Sequence, residues 1–232
     1  MDALFNGLTV TDFHDDAHRN IVSLRISEDL FDDLSDSPDG WQAATDLELA
    51  TKPHTYISAK PIIDRPFEEA HYNDAIDYPF KHWSKTRYSD GSYGVWYGTD
   101  TLETGIFETV HHWRQGLLED AGWQVIEGVV VERKVYLVRC DAALLDFRSK
   151  TETHLALIDP ESYHLTHQIG SRINHDGHPG LISHSARCEG DIYAVFNAKI
   201  LSSASQVCYL TYRNEGDTVA VECQPGELLL SI

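Results

Sequence analysis

The hydrophobic positions of this chain follow two different periods. After residue 100, apolar side chains recur every three or four positions, as on one face of an α-helix, at Leu102, Ile106, Val110, Trp113 and Leu117. Beyond residue 122 the pattern changes to short β-branched runs, which favour strands over residues 124–131, 134–139, 192–196, 207–212, 218–222 and 227–230. The sum predicts an α+β fold, in which a mixed or antiparallel sheet carries helices mainly on one side.

The N-terminal third has a more polar pattern. Residues 27–34 and 39–49 carry apolar positions at helical intervals, and three prolines within residues 56–80 favour extended or loop structure. No internal repeat or flexible linker divides the chain. We therefore predict one domain over residues 1–232, with a helical and extended N-terminal layer over about residues 1–80 and a core over about residues 81–232.

A glycine-punctuated aromatic stretch precedes the predicted helix. Gly91, Gly94 and Gly98 lie in or beside an aromatic run, a pattern typical of a turn that leads into a strand. Asp100, with Glu103 three residues later, resembles a capping box and predicts the start of the helix there.

The composition adds a strong negative charge. The chain has 18 Lys plus Arg against 37 Asp plus Glu, a formal net charge of −19 with His neutral. Such a field repels phosphate backbones and anionic bilayers, so direct nucleic-acid and membrane binding are disfavoured. A phosphate-bearing ligand would need the few basic residues concentrated in one pocket. With neither a membrane-spanning apolar run nor a signal-peptide pattern at the start, we expect a soluble, cytoplasmic protein.

One region is a candidate for metal binding. Within the histidine-rich residues 154–184, His164 and His167, and likewise His175 and His178, have spacings that two ligands of one ion could share. The pairs lack the Glu of the zincin signature, and glycine and proline disfavour a ligand helix here. The four cysteines have no CxxC pair and predict buried apolar side chains. We expect no metal, with a His-based metal-dependent hydrolase as an alternative.

Three polar residues lie in or just before the predicted strand and helix. Arg87 precedes the turn, Tyr97 ends the strand and Glu108 lies near the middle of the helix, so one strand–turn–helix unit could bring them together. No P-loop, GxGxxG or GxSxG motif accompanies them. By residue type alone, the ordinary interpretation is a surface Arg, a core Tyr and a solvent-exposed Glu.

At these positions the sequence resembles the RES-domain family, the toxin half of bacterial Xre–RES toxin–antitoxin pairs. That family places a Tyr ten residues after an Arg and a helix Glu eleven further on, as in Arg87, Tyr97 and Glu108. Residues 180–187 are similar to the family's Ser-containing loop and include Ser185, although His184 stands where the family commonly has Pro. The likeness covers about residues 20–200.

The resemblance implies a fold similar to the ADP-ribosyltransferase toxins, with NAD⁺ as substrate and residues 81–232 as a catalytic core. It implies a toxin that cleaves the nicotinamide–ribose bond, as an NAD⁺ glycohydrolase or phosphorylase, or that transfers ADP-ribose to a protein target. A cognate Xre-type antitoxin would neutralise it. A non-catalytic binding domain that only pairs with a partner is the remaining alternative.

The resemblance also implies roles for single residues. Glu108, Arg87 and Tyr97 would be catalytic, and Arg87, Tyr97 and Ser185 would bind the nucleotide. A guanidinium suits a diphosphate because it donates paired, charge-assisted hydrogen bonds. The Tyr97 ring could stack on a ribose-linked ring. A fixed carboxylate at Glu108 would stabilise the positive charge that develops on the ribose as the bond breaks.

Overall fold

One eight-stranded sheet organises the protein. The structure is a computed structural model that describes residues 2–23, 75–224 and 226–232. The described strands are β1 (Thr9–Val22), β2 (Lys85–Thr86), β3 (Ser89–Asp90), β4 (Trp96–Thr99), β5 (Val130–Asp146), β6 (Gly180–His184), β7 (Asp191–Val195), β8 (Leu201–Asn214), β9 (Val219–Gln224) and β10 (Glu227–Ser231). Strands β2 and β3 pair only with each other, and the other eight form the large sheet. The described α-helices are α1 (Asp2–Phe5), α2 (Tyr78–Lys81), α3 (Leu102–His112), α4 (Arg148–Thr151) and α5 (His164–Asp176).

The strand order closes part of the sheet into a ring. The order is β1-β4-β7-β6-β5-β8-β9-β10, and β1 also pairs with β5 along its whole length. A closed ring is therefore formed by β1, β4, β7, β6 and β5. Strands β8, β9 and β10 extend the sheet outward from β5. Among the described strands every pairing is antiparallel except that of β5 with β6. This confirms the predicted α+β class with a mixed, mostly antiparallel sheet.

One expectation about strands was wrong, and one strand was missed. Residues 124–131 and 134–139 are not two strands, because β5 begins at Val130 and runs without a break to Asp146. The residues before it form turns, which the Asn214 side chain fixes by donating to three carbonyls there. The 14-residue strand β1 was not identified at all, since acidic residues interrupt its apolar positions. The helices predicted over 27–34 and 39–49 lie outside the described residues.

The core of the described part of the chain has three clusters, and the alternation of side chains along the strands separates two of them. Along β7, Ile192 and Ala194 face the cluster under α5, whereas Tyr193 and Val195 face the cluster inside the strand ring. The third cluster lies where α3 packs its Ile106 face against β8 and β9. The two longer helices are thus fixed to the sheet by separate apolar faces.

Helix α3 begins and ends differently from its predicted pattern. Its N-cap is Thr101, whose hydroxyl accepts from the Thr104 amide at 3.1 Å, in place of the capping box expected at Asp100. A π-helical turn over Trp113–Leu118 follows α3 and shifts the side-chain register by one residue. As a result Leu118 is buried and Leu117, the predicted core residue, is exposed.

The histidine-rich region is more ordered than its sequence suggested. Residues 164–176 form α5, whose apolar face contains Ile169 and Ile173, and Gly177 ends the helix in the left-handed conformation with φ of 73°. Of the cysteines expected to be buried, Cys140 is buried and Cys223 is exposed; none of the four is in a disulfide. No helix in the described part of the chain is long and apolar enough to cross a bilayer.

Gly170 on α5 lies in close contact with the segment that carries Arg87. A Cβ at Gly170 would lie within 3 Å of both the Tyr88 carbonyl and the Tyr93 hydroxyl. We predict that Gly170→Ala lowers the free energy of unfolding by about 1–3 kcal/mol, because backbone must move to admit the methyl group. Gly116→Ala, which meets no atom within 4 Å, should leave it unchanged or raise it by up to about 1 kcal/mol. Urea denaturation of the two variants measures the difference, and equal stability would contradict the contact.

Candidate active site

A cavity of about 420 Å³ lies between β1, β4, α3 and the segment from α2 to Arg87. This volume is within the range typical of small-molecule sites. Its walls carry polar groups from distant parts of the chain, and the lining residues are His18, Arg19, Asn20, Tyr78, Pro79, His82, Ser84, Lys85, Thr86, Arg87, Val95, Tyr97, Gly98, Thr99, Gly105, Glu108, Thr109, His112, Tyr163 and Ile192.

The charge of the cavity is opposite to that of the whole protein. Arg19, Lys85 and Arg87 line it, and Glu108 is the one acidic side chain among the described lining residues. The chain as a whole has a net charge of −19. The lining thus has the local concentration of basic residues that the sequence analysis required for a phosphate-bearing ligand.

Arg87 has a buried guanidinium group, and one of its nitrogen donors is unpaired. It is 6% exposed, and its Nη1 donates to the carbonyls of Asp159 at 3.0 Å and Leu157 at 3.4 Å. The guanidinium carbon lies 4.7 Å from the centre of the Tyr163 ring. Nη2 is buried and has no hydrogen-bond partner in the described structure. Because such a donor is costly to leave unpaired, it favours an anionic ligand in the cavity.

Glu108 is held by the hydroxyl of Ser185, which lies just after β6 in the Ser-containing loop. The Ser185 Oγ donates to Glu108 Oε1 at 2.6 Å and accepts from the Arg187 amide at 3.0 Å. Ser185 is buried and is not among the lining residues, whereas Glu108 is. Since the amide occupies an acceptor site of the hydroxyl, the proton of Ser185 is directed at the carboxylate. The structure brings Ser185 to Glu108, and not to the cavity wall.

Tyr97 lines the cavity while its hydroxyl is engaged with the backbone around Arg87. The hydroxyl accepts from the Tyr88 amide at 2.9 Å and bonds the Thr86 hydroxyl at 2.9 Å. Burial raises the pKa of the phenol, so Tyr97 stays protonated at neutral pH. Both neighbours of Arg87 in sequence are therefore fixed by one side chain, which positions the guanidinium.

Arg19 is a site residue that sequence reasoning missed. Its Nη1 donates to the Tyr97 carbonyl at 2.8 Å, and its Nε is buried without a partner in the described structure. Burial, with a contribution from Arg133, lowers the pKa of Arg19 to about 10, so it remains charged at pH 7. No local motif marks it, because only the pairing of β1 with β4 brings it to the cavity.

A buried polar network fixes α3 against the sheet beside Glu108. The Asn20 amide donates to the Tyr212 hydroxyl at 2.8 Å and to Thr109 Oγ1 at 3.2 Å, and the two hydroxyls are 2.9 Å apart. Arg133 donates to the Asn20 side-chain oxygen at 2.9 Å. Since Thr109 follows Glu108 directly, this network limits the movement of the carboxylate.

Two of the four histidines proposed as metal ligands, His167 and His175, bond separate partners. His167 Nε2 bonds the Thr86 carbonyl at 2.8 Å, and His175 Nδ1 bonds Asp176 at 2.9 Å. His184, which replaces the family's usual Pro, bonds Asp191 at 2.9 Å. Within residues 2–23, 75–224 and 226–232, no three or more His, Cys, Asp or Glu side chains form a group that could hold a metal ion. The metal-dependent alternative has no such group to support it there.

Comparison with known proteins identifies the family. The model of the RES domain matches residues 62–215, more than half of the chain. This chain belongs to the RES-domain family. The matched part of the RES domain contains Arg87, Tyr97, Glu108 and Ser185, but begins well after residue 20, where the resemblance was expected to start. It leaves out β1, which supplies Arg19.

This RES domain is also similar to a solved structure. The crystal structure of the M. tuberculosis MbcT–MbcA toxin–antitoxin complex is similar over 89% of this chain and 88% of that chain, with a TM-score of 0.46 and 10% sequence identity. No curated protein matches the sequence.

The position of Arg87 in this RES domain depends on the Tyr97 hydroxyl. We predict that Tyr97→Phe lowers the free energy of unfolding by about 1–3 kcal/mol, because the Tyr88 amide loses its acceptor in a buried setting. Tyr209→Phe, which removes a hydroxyl from an exposed tyrosine, should change it by less than about 0.5 kcal/mol. Chemical denaturation checks both variants. If the two changes cost the same, Tyr97 does not hold the Arg87 segment.

Proposed function

We propose that this RES domain is an NAD⁺-consuming toxin that cleaves the bond between nicotinamide and ribose. The observation that carries the proposal is the shared cavity of Arg87 and Glu108. A buried guanidinium with an unpaired Nη2 and a carboxylate held by Ser185 line the same 420 Å³ space in an otherwise acidic protein. A dinucleotide with an anionic diphosphate bridge, and with positive charge that develops on its ribose during cleavage, is complementary to these two charges.

In the proposed reaction, Glu108 acts on the ribose. The bond from C1′ to the pyridinium nitrogen breaks, and its electron pair stays with nicotinamide, which leaves as a neutral molecule without needing a proton. Positive charge develops on C1′ and the ring oxygen, and the Glu108 carboxylate stabilises it electrostatically. Ser185 orients Glu108 by donating to Oε1, and it is not among the described residues that line the cavity. This role replaces the nucleotide anchoring that the sequence analysis expected of Ser185.

Binding of the diphosphate is assigned to the guanidinium groups. Arg87 offers its unpaired Nη2, and Arg19, which lines the same cavity from β1, offers its unpaired Nε. Tyr97 holds both of them, through its hydroxyl beside Arg87 and through its carbonyl, which accepts from Arg19. Its ring remains on the cavity lining, where it can contact the ligand.

The acceptor of the ADP-ribosyl group distinguishes three forms of this activity. Water gives an NAD⁺ glycohydrolase and phosphate gives an NAD⁺ phosphorylase, whereas a nucleophilic side chain of a target protein gives an ADP-ribosyltransferase. In each case the acceptor oxygen or nitrogen forms the new bond to C1′. Water or a protonated side chain loses a proton in this step, whereas an ionised phosphate oxygen has none to lose. A cognate Xre-type antitoxin that neutralises the toxin in the cytoplasm completes the proposal, and its basic residues would meet an acidic surface here.

The release of nicotinamide tests this function directly. Purified protein incubated with NAD⁺ should produce free nicotinamide in proportion to enzyme and time, measured by chromatography. If the rate of NAD⁺ loss is the same with and without added phosphate, and ADP-ribose is the co-product, the activity is hydrolysis and not one of the other two forms. If no nicotinamide forms at any protein concentration, with or without phosphate and cell extract as acceptor sources, the NAD⁺-consuming function is wrong.

Glu108→Gln keeps the shape of the side chain but removes its charge. We predict that it lowers kcat for nicotinamide release by on the order of 100-fold or more, because a neutral amide cannot stabilise the positive ribose. The melting temperature should stay close to that of the wild type. Glu119→Gln, which neutralises an exposed carboxylate beyond α3, is the matched control and should retain wild-type turnover. Near-native kcat in Glu108→Gln would contradict the assigned role.

Arg87→Lys retains the charge but loses the planar fork. We expect KM for NAD⁺ to rise by about tenfold or more while kcat falls less, because a single ammonium cannot replace both the contacts to the loop carbonyls and the free Nη2. Steady-state kinetics with NAD⁺ separates the two constants. An unchanged KM would show that Arg87 does not bind the substrate.

A further inference from the structure

An aromatic pair lines the cavity at a place that the roles assigned above do not use. Tyr78, the first residue of α2, stacks on His82 one helical turn later, with ring centroids 4.5 Å apart and planes tilted by 30°. Both residues line the cavity. Tyr78 is nevertheless 56% exposed. A large aromatic surface open to solvent inside a ligand cavity is suited to stack on a planar ring.

The segment that carries this pair is firmly attached to the core. Trp96 Nε1 donates to the Ala75 carbonyl at 2.8 Å, and Ala75 and Ile76 are buried. A Cβ at Gly94 would come within 3 Å of the backbone of Pro79 and Phe80, so these chains are in close contact. The tyrosine is therefore presented on a fixed backbone, which reduces the entropy lost when a ligand stacks on it.

The pair and the reacting carboxylate lie toward opposite ends of β4. Residue 94, just before β4, contacts Pro79 of α2, whereas Gly105 of α3 approaches Thr99 at the other end of that strand. The four residues of β4 alone span about 10 Å at about 3.3 Å per residue. Tyr97, with Arg87 beside it, lies between these ends. The cavity thus presents an aromatic surface, then guanidinium groups, then a carboxylate.

We propose that the Tyr78–His82 pair is the platform for the purine base of the dinucleotide, at the far end of the cavity from Glu108. The inference rests on the proposed function, because it fits the order of groups in the substrate: purine nucleoside, diphosphate, and ribose bearing the cleaved base. Lys85, which lines the cavity in the segment between His82 and Arg87, adds a cation next to the nucleoside phosphate. The free face of Tyr78 stacks on the base, and the guanidinium groups hold the phosphates.

The affinities for the two halves of the substrate, measured separately, distinguish the contribution of this platform from that of the rest of the site. Adenosine 5′-monophosphate contains the purine half, and nicotinamide mononucleotide contains the reacting half. Isothermal titration calorimetry of the whole chain with each mononucleotide gives the two dissociation constants without requiring turnover of NAD⁺. Tyr78→Ala should weaken adenosine monophosphate about tenfold, a typical effect of losing one base–aromatic stack, and nicotinamide mononucleotide less than twofold.

Two further variants control for structural effects. Tyr78→Phe keeps the ring and should bind adenosine monophosphate within about twofold of the wild type. Trp83→Ala removes an aromatic ring that is 60% exposed on the same segment but does not line the cavity, and should leave that affinity unchanged. Thermal melting of all three variants verifies that they remain folded.

The outcomes distinguish this proposal from the function on which it rests. Equal weakening of both mononucleotides by Tyr78→Ala, an unaffected adenosine monophosphate affinity, or no binding of adenosine monophosphate to the wild type would each overturn the platform. Any of these could accompany full NAD⁺ cleavage, which would leave the proposed function intact. Selective loss of adenosine monophosphate binding, in a protein that releases no nicotinamide, would support the platform and reject the NAD⁺-cleaving function.

Discussion

The burial of the Arg87 guanidinium is the constraint on which the candidate site depends. A charged group removed from water is unfavourable unless the protein or a ligand supplies partners. Here two carbonyls and the Tyr163 ring supply part of what Arg87 needs, and Nη2 is left without a partner in the described structure. Although the chain has a net charge of −19, the incompletely paired guanidinium of Arg87 makes the electrostatic potential positive at this point of the cavity.

Around this charge, the fold supplies supports from three separate parts of the sheet. Tyr97 on β4 fixes the backbone on both sides of Arg87, and Ser185, just after β6, holds Glu108 on α3. Asn20 on β1 joins Thr109 and so anchors α3 beside the carboxylate. Because the strand ring unites these elements, the two opposite charges can face one cavity without neutralising each other by direct contact. Burial of the supporting groups makes the arrangement rigid, as electrostatic stabilisation of a transition state requires.

The sequence predicted the parts of the site that depend on local spacing. The helical recurrence from Leu102 to Val110 identified α3, and the intervals between Arg87, Tyr97 and Glu108 led to the family that the match over residues 62–215 confirms. Whether these residues act on NAD⁺ stays a prediction. The roles of Ser185 and Arg19 were out of reach, since each depends on a contact between residues more than 70 positions apart. Strand β1 was missed because its pairing with β5 stabilises a segment with few apolar positions.

The central claim is that one cavity holds the diphosphate at Arg87 and the reacting ribose at residue 108. A crystal structure of the Glu108→Gln variant with NAD⁺ bound tests it most directly, because slow turnover should preserve the substrate. We expect a phosphate oxygen within hydrogen-bonding distance of Arg87 Nη2 and the nicotinamide ribose in contact with residue 108. A dinucleotide bound elsewhere, or bound in this cavity with its nicotinamide ribose remote from residue 108, would contradict it.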